Sequence, residues 1–202
     1  MINIIIIAVT VIISIVAFGN RSLFDKLKFS PYDIKHSQQS WRFFSYALVH
    51  AGWLHLLINM WVLYFFGDIV EKTFRAQFNV KGMFYYLLLY LGGIIFSVLF
   101  DYGKNKDNVF YNAVGASGAV SSVVFASILI YPTSGIYLFP LPFAIPAWLF
   151  GILYLIYSVY MQKRSHDNVG HSAHLWGSVF GLVFTIIVVP HVISHFIQQL
   201  FG

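Results

Sequence analysis

The sequence predicts an all-α polytopic membrane protein with six transmembrane helices. Hydrophobic residues make up 59% of the 202-residue chain and charged residues only 9%, against about 45–50% and about 25% in soluble domains. The apolar residues occur in long runs, most of them close to the roughly 20 residues that one helix needs to cross a bilayer. The composition therefore excludes a soluble enzyme and a disordered chain, and the absence of cysteine excludes a disulfide scaffold.

Charged and proline-rich segments divide these runs into six spans of a single membrane domain, 1–202, in which we expect no soluble domain. The first run has no basic segment before it, which favours a retained helix over a cleaved signal peptide. The fourth and fifth spans come from one uncharged stretch, 108–162, which four prolines interrupt near its middle. The predicted spans are 2–18, 43–67, 82–100, 113–131, 144–161 and 170–190.

The net charge of +5 does not indicate nucleic-acid binding. The 12 Lys and Arg residues sit in short clusters between the apolar runs, whereas a nucleic-acid site needs a basic face. Nine of the 12 fall in the first, third and fifth loops, which the positive-inside rule would place in the cytoplasm. The partner that the composition predicts is the lipid bilayer.

A pair of polar residues on the second span is a candidate functional site, because polar groups inside a span are costly. His55 and Asn59 are four residues apart, so their side chains lie on one helix face. The structural alternative is that the pair holds neighbouring helices together by hydrogen bonds. His50 is a further polar residue on the same span.

Ser117 lies in a run of small residues at the start of the fourth span. Gly115 and Gly118 flank it, and small residues let helix backbones approach closely. A serine at such a position often bonds only to a carbonyl of the preceding turn. The same context suits a nucleophile, because the unpaired N–H groups at a helix N-terminus can stabilise an oxyanion.

His174 on the sixth span is the candidate base for that serine. Gly177 and Gly181 follow it and form a close-packing face. If that face meets the glycines beside Ser117, the imidazole can reach the hydroxyl and activate it. His171, three residues earlier, is the alternative base.

The acidic residues and the missing cysteines limit the chemistry further. None of the seven Asp and Glu residues falls within a predicted span, so a serine enzyme here would use a Ser–His dyad without an orienting carboxylate. The sequence carries no metal-binding motif. We therefore expect no metal and no cofactor.

Five motifs together resemble the rhomboid family of intramembrane serine proteases, over about 41–181. Their order along a six-span chain makes the resemblance specific, and it implies a rhomboid-like bundle of helices. The motifs are Trp41-Arg42; His50, His55 and Asn59; Glu71; Gly115-Ala116-Ser117-Gly118; and Ala173-His174 with Gly177 and Gly181.

The resemblance implies a role for each matched residue. Ser117 would be the nucleophile and His174 the general base, while His55, Asn59 and the backbone N–H of Ser117 would form the oxyanion hole. Arg42 would order the first loop, Glu71 would tie the second, and the glycines of the sixth span would let it pack on the fourth. The structural and supporting set is Trp41, Arg42, His50, Glu71, Gly115, Gly118, Gly177 and Gly181.

The resemblance also implies how a substrate reaches the site. The fifth span, about 147–161, and the loop 162–169 would be gate and cap for a transmembrane helix that is cut near its outer end. The expected location is the bacterial inner membrane, with the N-terminus and second loop in the cytoplasm and the site open to the opposite side. The Lys and Arg count argues against this orientation, and we follow the resemblance because the family's first loop is a compact structure.

One position departs from the family pattern. An aromatic residue often follows the serine by four places and stacks on the imidazole, but this chain has Ser121 there. Trp176, or a water held by Ser121 and Ser122, would then orient His174.

Two other functions compete with a protease. An inactive rhomboid-like protein that binds transmembrane clients would usually lack the serine or the histidine. A small channel or transporter would need paired charges or broken helices at the midplane.

Overall fold

A computed structural model describes residues 1–138, 142–164 and 170–202 of the chain. This described part contains ten α-helices, a 3₁₀ turn at Tyr46–Leu48 and an antiparallel β-hairpin. The helices are α1 (Ile2–Gly19), α2 (Arg21–Leu27), α3 (Pro31–His36), α4 (Arg42–Ser45), α5 (Trp53–Phe78), α6 (Val80–Asn105), α7 (Ser117–Ile130), α8 (Ala147–Arg164), α9 (His171–Val188) and α10 (Val192–Phe201). The strands are β1 (Gly135–Tyr137) and β2 (Ala144–Pro146).

Four of these helices, α1, α5, α6 and α9, are long and apolar enough to cross a membrane. The helix α7 and residues 147–162 of α8 are apolar but shorter. The prediction of an all-α polytopic membrane protein is confirmed, while the count of six spans stays a prediction.

The short helix α7 is the centre of the bundle. Every residue from Gly118 to Ile130 is buried, and α5, α6 and α9 pack around it. The outer faces of the surrounding helices are apolar and exposed, as at Leu54 and Leu57 of α5. Such an exterior is suited to lipid, in which apolar side chains need no cover.

The first residue of α7 lies inside the bundle, well below its end. Ser97 of α6 lies directly against Gly118, and α6 continues from there to Asn105. At about 1.5 Å per residue, that continuation extends α6 by about 12 Å. Ser117 therefore begins its helix at a depth where the neighbouring helix still continues.

The segment before α5 differs from the predicted span 43–67. The helix α5 begins only at Trp53, because residues 42–48 form α4 and the 3₁₀ turn and Gly52 is fully extended. Phe29 and Ala113 exchange two backbone hydrogen bonds of 2.9 and 3.1 Å. These bonds attach the first loop to the segment that leads into α7.

The helices α5 and α6 also run past the ends of the predicted spans, to Phe78 and to Asn105. Three acidic residues, Asp68, Glu71 and Asp101, therefore lie on these helices, and two of them, Glu71 and Asp101, are buried. They lie beyond the ends of the predicted spans, on helices that continue past the last apolar residue because their backbone hydrogen bonds continue.

The other predicted bounds differ by a few residues. The span 113–131 corresponds to α7, which begins at Ser117 because Gly115 has a positive φ of +108°. The start of 144–161 is β2, paired with β1, and α8 follows it. The span 170–190 corresponds to α9. Most of the predicted cap, residues 165–169 of 162–169, lies outside the described residues.

Candidate active site

The turn that leads into α7 presents Ser117 with free backbone donors beside it. Gly115 has a φ of +108°, a conformation that favours glycine. The first N–H groups of a helix have no partner within the helix, and Ser117 is the first residue of α7. Its side chain is half-buried. This arrangement puts a hydroxyl and N–H donors at the same helix end.

His50 fixes the backbone just before Ser117. Its ring is completely buried, Nε2 accepts the Ala116 N–H at 3.3 Å, and Nδ1 lies 2.9 Å from Ser14 Oγ. Ser14 donates its own hydrogen to the Leu48 carbonyl, so the hydroxyl accepts from Nδ1–H. His50 thus joins α1, the first loop and the turn at Ser117, and its role in the structure is to hold them together.

His55 packs over the same turn. A Cβ added to Gly115 would lie 2.5 Å from Cε1 and 2.8 Å from Nε2 of His55, so only glycine allows the ring to lie there. The Ala51 N–H donates to Nδ1 of His55 at 3.4 Å. A neutral imidazole carries one hydrogen, so this bond assigns the hydrogen of His55 to Nε2. The donor therefore lies beside Gly115, two residues before Ser117.

Asn59 lies one turn below His55 and is buried. Its amide nitrogen donates to the His55 carbonyl at 2.8 Å. The amide group has two hydrogens, so one remains for a further acceptor. The described contacts bring His55 to the turn before Ser117, and they connect Asn59 to His55 and not to Ser117.

The helices α7 and α9 touch backbone to backbone. A Cβ at Gly177 would overlap the Gly118 carbonyl, and a Cβ at Gly181 would overlap that of Ser122. The Ala173 carbonyl also lies 3.3 Å from the Cβ position of Gly118. The first turns of the two helices are therefore side by side, with Ser117 on one and His174 on the other.

The ring of His174 contacts two other rings among the described residues. Tyr154 of α8 is nearly parallel to it, at 27° and 6.3 Å between ring centroids, and His171 is nearly perpendicular at 6.2 Å. Tyr154 also has its hydroxyl 3.0 Å from Ser121 Oγ. The aromatic partner of His174 therefore comes from α8.

Trp176, the residue that the sequence suggested as this partner, packs instead on Phe100 at 5.6 Å. Sequence reasoning missed Tyr154. The sequence signal for Tyr154 was a phenol within an apolar span. It could not be linked to Ser121, because the two residues are separated by 33 positions along the chain.

Arg42 makes several hydrogen bonds within the first loop. Its guanidinium is buried and donates to the carbonyls of Asp25 and Lys28 at 2.9 and 2.7 Å and to Gln39 Oε1 at 2.6 Å. Trp41, directly before it, is 48% exposed.

The resemblance implied that Glu71 ties the second loop, but in the structure Glu71 binds the start of α1. Its two carboxylate oxygens accept the N–H groups of Ile2 and Asn3 at 2.9 and 3.0 Å, which are unpaired donors at the start of α1. Asn3 is further held by the Tyr86 hydroxyl, which donates to it at 2.7 Å. Glu71 therefore caps α1, at the end of the bundle opposite Ser117.

Within the described ranges, no three His, Asp or Glu side chains come together as a metal ion requires. The polar groups on these neighbouring turns are a hydroxyl, imidazoles and backbone N–H donors. This set is suited to acyl transfer, which needs a nucleophile, a base and donors for an oxyanion.

Together, the fold and the site define a polytopic membrane protein with polar side chains gathered inside an apolar helix bundle. A family model described as the Rhomboid domain matches residues 37–191. The chain belongs to the rhomboid family.

Individual relatives agree with this family. RHOMBOID-like protein 12, mitochondrial, of Arabidopsis thaliana is 30% identical over 68% of this chain and 43% of its own length. Rhomboid-related protein 1 of Caenorhabditis elegans is 28% identical over 80% of this chain and 44% of its own length. Rhomboid protease GlpG of Haemophilus influenzae is 27% identical over 76% of this chain and 72% of its own length. The chain thus spans less than half the length of the first two relatives, and the family includes proteases.

Proposed function

We propose that this chain is an intramembrane serine endopeptidase in which Ser117 is the nucleophile and His174 the general base. The observation that carries the proposal is the backbone contact between Gly177 and Gly118, which sets the first turns of α9 and α7 side by side. Ser117 and His174 lie on those turns, and both are half-buried. Similarity to a rhomboid protease adds support.

The proposed reaction proceeds through an acyl-enzyme. Ser117 Oγ attacks the carbonyl carbon of the scissile peptide bond while His174 takes the hydroxyl proton. The C–N bond then breaks, and His174 gives that proton to the leaving amine. Water adds to the ester with His174 again as base, which releases a carboxylic acid and restores Ser117.

Three donors stabilise the oxyanion of each tetrahedral intermediate in this proposal. They are the backbone N–H of Ser117, Nε2–H of His55 and the remaining amide hydrogen of Asn59. The hydrogen bond from Ala51 to Nδ1 supports the role of His55, because it leaves Nε2 as the donor. Removing one such donor typically slows an enzyme by about 100- to 1,000-fold.

The proposed substrates are transmembrane helices of other membrane proteins. The bundle around Ser117 is apolar outside, and Ser117 lies about 12 Å below the end of α6 by the rise of a helix. Carbonyls of a membrane helix are held in hydrogen bonds, so the substrate must unwind before attack. Segments with Gly or Pro near the outer end are therefore preferred.

We also propose the bacterial inner membrane as the location, with the site open to the non-cytoplasmic side. Most of the cations that argue against this orientation lie in the first loop, which is compact because Arg42 donates hydrogen bonds to the Asp25 and Lys28 carbonyls. Asp25 pairs with Arg21 and Lys28, and Asp107 with Lys35. These hydrogen-bonded cations hold the pKa of both carboxyl groups below the ordinary value.

Cleavage in liposomes tests the enzyme proposal. Purified protein is reconstituted with single-span substrates that carry Gly or Pro in the outer third of the span. We expect Ser117→Ala to retain less than about a thousandth of the cleavage rate, because the nucleophile is lost. The matched control is Ser127→Ala, which removes a buried hydroxyl from the same helix far from the site and should cleave normally.

Cleavage by Ser117→Ala above about a tenth of the wild-type rate contradicts the assigned nucleophile. If wild-type protein binds these substrates and cuts none of them, the client-binding function replaces the protease.

The orientation has its own test, since the chain contains no cysteine. Single cysteines are introduced at exposed positions at opposite ends of the bundle, as Asn108→Cys and Ala76→Cys. In intact inverted inner-membrane vesicles, an impermeant maleimide should label Ala76→Cys and leave Asn108→Cys unlabelled. The reverse pattern would contradict the proposed orientation.

A further inference from the structure

The place where rhomboid proteins often carry an aromatic residue, four positions after the serine, holds Ser121 in this chain. The structure fills the same space from another helix. Tyr154 of α8 has its ring nearly parallel to that of His174 and its hydroxyl 3.0 Å from Ser121 Oγ. The small side chain at 121 therefore leaves room for the larger one at 154.

We propose that Tyr154 is the residue that positions the imidazole of His174 toward Ser117, so that α8 takes part in aligning the dyad. This inference rests on the proposed function. The Tyr154 ring is nearly parallel to the imidazole, at 27° and 6.3 Å between ring centroids. A ring in that position limits how far the imidazole can rotate about its Cβ–Cγ bond. No orienting carboxylate is needed for that restriction.

Tyr154 is itself held in place by α7 and by its own helix. Its ring packs on Phe125 of α7 and on Phe150 one turn earlier in α8, each at 5.7 Å, within the range of favourable aromatic pairs. The hydroxyl is fixed by Ser121. The phenol therefore cannot slide along His174 unless α8 moves relative to α7.

The helix that supplies this ring lies at the edge of the bundle. Ile152, Leu153 and Ile156 of α8 are each at least half exposed. Displacement of α8 from α7 would break the Ser121–Tyr154 hydrogen bond and withdraw the ring from His174. The alignment of the dyad is thereby coupled to the position of α8.

Two variants separate the ring from the hydroxyl. We expect Tyr154→Leu to lower both kcat and the rate of Ser117 labelling by a fluorophosphonate by about 10- to 100-fold, because the base is no longer held in line. KM should stay within about threefold, since the substrate contacts are unchanged. Tyr154→Phe keeps the stacked ring and should retain activity within about fivefold, the effect of one hydrogen bond.

The matched control is Tyr157→Leu, the same change one turn along α8. Tyr157 is 54% exposed and contacts His171 and not His174. It should label and cleave as the wild type does. The inference is overturned if Tyr154→Leu and Tyr157→Leu lose labelling and cleavage equally. It is also overturned if Tyr154→Leu is folded and is labelled at the wild-type rate.

An exchange of the two side chains covers the case in which Tyr154→Leu fails to fold. Tyr154→Ser alone should be impaired, and adding Ser121→Tyr should restore labelling by returning a ring to His174 from α7. A folded exchange variant no more active than Tyr154→Ser contradicts the inference. These failures are distinguishable from failure of the proposed function, in which the wild-type protein itself is not labelled at Ser117.

Discussion

Two kinds of contact surround the candidate site at Ser117 and His174. One is the seam between α7 and α9, and the other is the contact that α8 makes with both of these helices. At the seam, Gly177 lies against Gly118, backbone on backbone. The helix α8 contributes the side chain of Tyr154, while Ile156 on its outer face is 62% exposed. Backbone contact leaves no rotamer to change, whereas a side chain can be withdrawn. In the proposed mechanism, the seam sets the separation of Ser117 and His174, and Tyr154 of the peripheral helix α8 orients the imidazole.

Among the variants of the scaffold around the dyad, the largest effect is expected from breaking the backbone contact between α7 and α9. In Gly177→Ala, the new Cβ overlaps the Gly118 carbonyl, so α9 must move outward. We expect a loss of at least about 100-fold in cleavage, the order found for a misplacement near 1 Å. The control is Gly103→Ala in α6, where nothing lies within 4 Å of the new Cβ. Normal cleavage by Gly177→Ala would contradict the rigid seam.

A loss of about 100-fold in kcat is expected for Asn59→Ala, because one oxyanion donor disappears. KM should change little, since the interaction forms only in the transition state. Asn105→Ala is the matched control, because Asn105 makes the same bond to a carbonyl four residues earlier, in α6. If the two variants lose activity equally, Asn59 serves helix packing alone.

A smaller effect is expected for His50→Ala, which removes the link between α1 and the turn at Ser117. The Ala116 N–H then has no acceptor in a buried position, which should lower the free energy of unfolding by about 1–3 kcal/mol. Activity per folded molecule should fall by about tenfold, since the turn loosens. Thermal inactivation in detergent measures the change in stability, and cleavage before heating measures the activity. Exposed His36→Ala is the control for both measurements. Unchanged stability would remove His50 from the scaffold.

The seam between α7 and α9 could be predicted from the sequence, and the contact of Tyr154 with His174 could not. Two glycines four residues apart beside His174 predict a close helix approach, because small residues at helical spacing act locally. The pair of His55 and Asn59 is local in the same way. Both inferences use neighbours within one or two turns.

Tyr154 could not be predicted, because its contact with Ser121 depends on how α8 settles against α7. The same reason applies to Glu71, whose partners, the N–H groups of Ile2 and Asn3, lie nearly seventy positions away. The predicted start of α5 is too early because residues 43–52 are mostly apolar but belong to the first loop, where the Ser45 hydroxyl donates to the Leu27 carbonyl. Hydropathy measures affinity for lipid and does not record such tertiary bonds.

Labelling by a fluorescent fluorophosphonate tests the central proposal most directly, because it reports an activated serine without any substrate. Four detergent-solubilised proteins are compared: wild type, Ser117→Ala, His174→Ala and His171→Ala. We expect labelling of the wild type and of His171→Ala, and no labelling of Ser117→Ala and His174→Ala. Folded wild-type protein without labelling would contradict a serine protease, and labelling that depends on His171 instead of His174 would contradict the assigned dyad.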